Sequence, residues 1–245
     1  MQTRFQKLFN FFSLALVAIS LPLTVYILKN GNLDFTIEAF LSDEPQNVVI
    51  SNINGESFKV SWYTEKPTTG MLRLSGSLEP YTEPEDTKYH ELNIVNLDPN
   101  SNYEFQLLSN GNLFTQTYST NTYPDTLNQD NHWLIGQVFS MDGYTPQNGG
   151  LVYLTLIHNG INSAQTVSII NENGGYKINL ANLRDNNGNS FNHNTYCDVL
   201  VKVYTSSDSE VIEKRFTLDL ALEKQIPNIY LAEPGLDLIP GVEGR

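Results

Sequence analysis

From Glu56 to Trp62 the side chains alternate with period two: Phe58, Val60 and Trp62 point one way, and Ser57, Lys59 and Ser61 the other. That period belongs to a β-strand and conflicts with the 3.6-residue repeat of a helix. A strand with one apolar face predicts an antiparallel sheet with one side on a core. The pattern returns at Tyr89–Val95, with Leu92 and Ile94 inward, and at Asn102–Leu108, with Tyr103, Phe105 and Leu107 inward. Asn54-Gly55 and Asn110-Gly111-Asn112 supply hairpin turn chemistry between such runs. These signals predict a β-sandwich over residues 44–123.

Leu97-Asp98-Pro99-Asn100-Ser101-Asn102-Tyr103 resembles the tyrosine corner of fibronectin type III domains, with Trp62 at the family's core tryptophan and Pro45 at its usual start. The resemblance implies that the Tyr103 ring fills the sandwich while its hydroxyl bonds back to the backbone near Pro99. Trp62 and Tyr103 are expected to be buried together. The Thr69–Leu74 strand resembles a variant found at the front of purple acid phosphatases. Their Asp-x-Gly and Gly-Asn-His-Glu metal motifs have no counterpart downstream, so no activity is implied.

Residues 124–131 read as a linker of Pro, Asp and Asn without periodicity. Seven strand candidates follow at His132–Ser140, Leu151–His158, Thr166–Ile170, Tyr176–Leu180, Tyr196–Thr205, Glu210–Leu218 and Ile226–Leu231, predicting a second sandwich over 132–232. Gly136-x-Val138, Gly143-x-x-Pro146, Gly150-x-Val152 and Asn173-Gly174-Gly175-Tyr176 resemble the carboxypeptidase regulatory-like, or prealbumin-like, family. That resemblance implies an accessory module without an active site.

Leu8–Leu28 is an apolar run long enough to cross a hydrocarbon core of ~30 Å as a helix. Arg4 and Lys7 precede it, while Asp34, Glu38, Asp43 and Glu44 follow, which places the N-terminus inside and the rest outside. Residues 1–30 are thus read as cytoplasmic N-terminus and membrane anchor, 31–43 as a spacer and 233–245 as a tail. Ala18-Ile19-Ser20 offers a signal-peptidase site, and cleavage there would make the protein secreted. The apolar run continues past Ser20 and favours retention as an anchor.

The net charge is −13 and no basic stripe is present, so a nucleic-acid partner is not expected. Cys197 is the sole cysteine, which rules out an internal disulfide. His193 lies four residues away, yet Cys197 shares a strand face with Val199, Val201 and Val203, the setting of a buried apolar side chain. Asp185–Asn189 places oxygen ligands at alternate positions. The residues needed for an EF-hand, Gly at the sixth and Glu at the twelfth position, are replaced by Ser190 and Tyr196, so a plain loop is expected and calcium stays open. His90, His132, His158 and His193 lie far apart and are expected at surface or strand-end positions.

The expectation is therefore an all-β chain: two tandem antiparallel sandwiches behind a transmembrane helix. It has no catalytic, cofactor or metal residues and is not an enzyme. Its partners would be membrane lipid through residues 8–28 and a protein or glycan outside. The rival readings are an accessory subunit of an envelope or secretion complex and a carbohydrate-binding module. For the latter Tyr118, Tyr123, Tyr144 and Tyr153 are the candidate platforms, each also suited to plain packing.

Overall fold

The computed structural model describes residues 42–125, 127, 131–193, 195–205 and 212–231. The expected anchor at 8–28, the tail at 233–245 and all of the spacer but its last two residues lie outside them. Among the described residues every regular element is a strand, and no helix is long and apolar enough to cross a membrane. The chain from Ser42 onward forms one compact unit.

The first sandwich is built from β1 (Gln46–Ser51), β2 (Ser57–Thr68), β3 (Gly70–Leu74), β4 (Tyr81–Thr82), β5 (Thr87–Val95), β6 (Asn102–Ser109) and β7 (Asn112–Asn121). One sheet runs β1-β2-β5 and the other β4-β3-β6-β7. Their inner faces enclose Phe58, Val60, Trp62, Leu72, Ile94 and Phe105, all fully buried. This three-on-four antiparallel arrangement, with its tyrosine corner, makes the domain fibronectin type III-like. Tyr103 Oη accepts a hydrogen bond from the Asp98 backbone N–H at 2.7 Å, close to the position its motif implied. The Tyr103 ring is only partly buried, however, and packs on Phe58 at 6.4 Å. Trp62 stacks instead on His90 at 4.7 Å. Trp62 and Tyr103 thus share one core cluster as expected, but only Trp62 is fully buried and the two make separate ring contacts.

The second sandwich contains β8 (Trp133–Phe139), β9 (Leu151–His158), β10 (Ile161–Asn162), β11 (Thr166–Ile169), β12 (Gly175–Asn179), β13 (Tyr196–Tyr204), β14 (Ile212–Asp219) and β15 (Ile229–Tyr230). The larger sheet runs β10-β9-β13-β14, with β11 also paired to β9, and the smaller runs β12-β8-β15. Between them lies a core that includes Leu134, Leu154, Tyr176, Val201 and Ile226. Two details depart from expectation. The two-residue β10 adds an eighth strand, and β15 runs parallel to β8 rather than antiparallel. Antiparallel pairing is imposed by hairpins. β15 is reached by a crossing from the larger sheet, so that constraint is absent.

A further departure concerns how many faces of β2 are covered. Alternation predicted a strand buried on one side, yet Ser61 is 0% and Tyr63 6% exposed on the other. The second sandwich covers that side. Leu151 and Tyr153 on β9 point away from their own core and are buried, with Val167, against Val49, Tyr89 and Tyr204. Tyr89 donates from its hydroxyl to the Thr205 carbonyl, and Thr166 Oγ1 donates to Asn52 Oδ1 at 2.9 Å. The Tyr89 ring lies so close to Gly149 (φ +77°) that a Cβ there would stand 2.7 Å from it, so glycine serves both the backbone angle and the contact. At the other end of the joint, buried Arg184 stacks on Tyr123 at 4.3 Å and donates to the Asp125 carbonyl at 2.7 Å. The segment read as a linker is thus held at its start.

Candidate functional site

The joint leaves a groove beside it. On β8, Leu134 and Val138 face the core, so Trp133 and Ile135 face outward by parity and are 43% and 46% exposed. β12 pairs antiparallel with β8, setting Asn179 opposite Trp133 and Lys177 opposite Ile135. Lys177 Nζ consequently sits 5.1 Å over the indole ring. From the first sandwich, Lys59 and Asn93 face this surface, and Lys59 is ion-paired to Glu91 at 2.6 Å.

Two connected hollows result. One, about 350 Å³, is lined by Asn52, Asn54, Asn93, Asn179 and Trp133 among others. The second, about 710 Å³, is more open and shares Lys59, Trp133, Val167 and Lys177 with the first. Two buried polar atoms on residues of the second hollow, Glu91 Oε2 and Tyr176 Oη, have no hydrogen-bond partner among the described residues. The Tyr176 ring can lie across β8 because Gly136 has no side chain, and a Cβ there would stand 2.3 Å from it. Burial raises the Tyr176 hydroxyl pKa far above its ordinary value, so it stays protonated.

A second polar cluster lies inside the first sandwich. His90 Nδ1 is 2.5 Å from Glu83 Oε2, and His90 Nε2 is 2.9 Å from Thr64 Oγ1. A hydroxyl, an imidazole and a carboxylate in that order are the parts of a nucleophilic relay. Thr64 and His90 are both 0% exposed, however, and neither hollow reaches them. The cluster satisfies buried polar groups: Glu83 Oε1 also accepts from the Glu91 N–H at 2.9 Å, and a Cβ at Gly70 would strike Glu83, His90 and Trp62.

The surface placement expected for histidine is corrected at two positions. His90 lies in the core, because its parity on β5 matches Leu92 and Ile94. His193 is 6% exposed and packs on His132 at 5.1 Å. His158 lies on β9, with Nδ1 2.9 Å from the Tyr196 carbonyl. Cys197 is 1% exposed among Val199, Val201 and Val203, and burial pushes its thiol pKa up, opposite to what a nucleophile needs. In the Asp185–Asn189 loop, Asp185 Oδ1 accepts the N–H groups of Asn187 and Asn189, each at 2.8 Å. Its second oxygen accepts from the Asn189 side chain at 3.1 Å. The carboxylate is therefore engaged in shaping its own turn, and no group of three metal-ligating side chains occurs among the described residues.

Of the four tyrosines considered as platforms, Tyr153 is buried in the joint, Tyr118 stacks on Phe105 at 5.5 Å and Tyr123 lies under Arg184. Tyr144 is 68% exposed and lines neither hollow. Trp133 was missed, although an indole at outward parity in the His132–Ser140 run is visible in the sequence.

No family model matches the chain, and no curated protein matches it. Among solved structures, PhoD is 12% identical over 40% of this chain and 22% of its own, with a TM-score of 0.28. The central fibronectin-III array of RIM-binding protein is 17% identical over 71% of this chain and 62% of its own, with a TM-score of 0.26. A two-domain fibronectin type-III segment from chicken tenascin is 11% identical over 72% of this chain and 100% of its own, at a TM-score of 0.25. The chain spans about a fifth of the length of PhoD. Likenesses this distant carry no weight for function.

Proposed function

We propose that this chain is a membrane-anchored, extracytoplasmic interaction protein in which two joined β-sandwiches present the groove at Trp133 to a partner. Residues 8–28 would hold it in the bilayer, and the second sandwich is read as prealbumin-like on its glycine and turn spacings. The observation that carries the reading is the joint itself: buried Tyr153, Leu151 and Val167 lock the sandwiches together beside a surface that keeps Trp133 and Ile135 exposed. A rigid pair with exposed aromatic and aliphatic side chains in a concave, amide-lined surface suits recognition. No catalysis is proposed, since the one thiol is buried with a raised pKa and the His90 cluster is closed off. An accessory subunit of an envelope complex would use the same surface toward a neighbouring subunit.

The test places a photo-crosslinking residue at Ile135 in the groove, or at Ser119 on the exposed face of β7, in the full chain in intact cells. The reading expects a partner adduct from position 135 and none from 119, with the protein retained in carbonate-washed membranes. Adducts from 119 alone, or release by carbonate, would contradict it.

A further inference from the structure

We propose that the groove binds a saccharide, with a pyranose ring laid against the Trp133 indole and its hydroxyls held by the surrounding amides. This rests on the reading of the groove as the partner-facing surface and names the chemistry of what it takes. The smaller hollow is lined in part by side-chain amides, from Asn52, Asn54, Asn93 and Asn179. Asn179 is engaged through both its oxygen and its nitrogen, and the Asn52 and Asn54 oxygens already accept from Thr166 and the Gly55 N–H. The Asn52 and Asn54 side-chain N–H groups and the Asn93 amide are left to meet a ligand, and covering them with an apolar one would be costly. A ligand bearing a hydroxyl on nearly every carbon can both donate and accept all along such a wall.

The unpartnered Glu91 Oε2, on a residue lining the second hollow, fits the same ligand. It requires a donor, which a sugar hydroxyl supplies, whereas a carboxylate or phosphate ligand would be repelled. The flat side of a pyranose presents C–H groups, the complement of the negative face of an indole. Trp133, which lines both hollows, is the planar surface for this, at 43% exposure with Lys177 Nζ 5.1 Å over the ring. Charge favours a neutral sugar. Lys59 is already paired with Glu91 and Arg184 with Asp125, so Lys177 is the one cation lining the groove without a carboxylate partner among the described residues.

The chain has two tryptophans, and Trp62 is fully buried, so acrylamide quenching of the full chain in detergent reports on Trp133 without any substitution. The probes are gluco-, chito-, xylo- and galacturono-hexaoses at millimolar concentration. At least one of the three uncharged sugars should protect Trp133 from quenching, and the galacturonan, repelled by Glu91, should not. By calorimetry, Trp133→Ala should weaken the protecting sugar about tenfold or more, while Trp133→Phe keeps part of the affinity and Tyr144→Ala all of it. No protection by any of the three uncharged sugars would overturn the proposal, as would unchanged affinity in Trp133→Ala. A partner adduct at position 135 alongside either result would leave the interaction reading standing and remove the sugar alone.

Discussion

The Tyr153 hydroxyl stands 3.1 Å from Ser61 Oγ, joining the two sandwiches by a hydrogen bond in which neither residue is more than 1% exposed. Each group would be orphaned without the other. Burial pushes the Tyr153 pKa up to about 12, so the bond remains intact across the physiological range. Ser61→Ala and Tyr153→Phe should each cost about 1–3 kcal/mol in urea unfolding, because each leaves the other hydroxyl buried and unpaired. Their double mutant should show a coupling of at least about 0.5 kcal/mol, since the residues share one contact. Additivity to within about 0.3 kcal/mol would mean the sandwiches are not joined there.

The tyrosine corner makes a separate prediction. Tyr103→Phe keeps the ring against Phe58 but removes the acceptor for the Asp98 N–H, and should cost about 1 kcal/mol. Tyr103→Ala should cost more, near ~2 kcal/mol, yet less than the ~3–5 kcal/mol of a fully buried aromatic, because the ring is only partly buried. Equal losses for the two variants, measured by chemical unfolding, would show that the ring contributes no packing.

Acid should weaken the second sandwich through one identifiable pair. Burial lowers the pKa of both His132 and His193, and the Lys224 ammonium, which donates to His132 Nε2 at 2.8 Å, lowers His132 further. The folded state thus binds fewer protons than the unfolded chain once pH falls below the ordinary histidine value of about 6.5. Stability is unaffected above that value and declines as pH drops through the window beneath it. Replacing both residues with Gln should flatten the melting temperature between about pH 6.5 and 5. An unchanged slope would assign the decline to carboxylates instead.

Strand positions were largely legible because period-two alternation is imposed locally by the backbone. Leu151–His158 was read to the residue, and the tyrosine corner was carried by one short string. What alternation cannot encode is which outward face meets another domain. Ser61 and Tyr153 look like ordinary outward residues until the second sandwich lies over β2. The parallel β15 was hidden for a similar reason, since two residues give no directional signal. His90 and Trp133 differ from these. Their parity was available in strands already identified, and treating histidines by spacing and platforms by tyrosine alone passed over it.

The central claim is that the two sandwiches form one body that presents a groove, and an inter-label distance measurement tests it most directly. Spin labels on cysteines introduced at Thr117 on β7 and Glu213 on β14 report the geometry, because both sites are exposed. The native Cys197 is 1% exposed and should remain unlabelled. The account predicts one narrow distance distribution for the full chain, broadened when Tyr153 and Tyr89 are both replaced by Ala. A broad distribution in the unsubstituted chain would show two sandwiches moving independently and would contradict the claim.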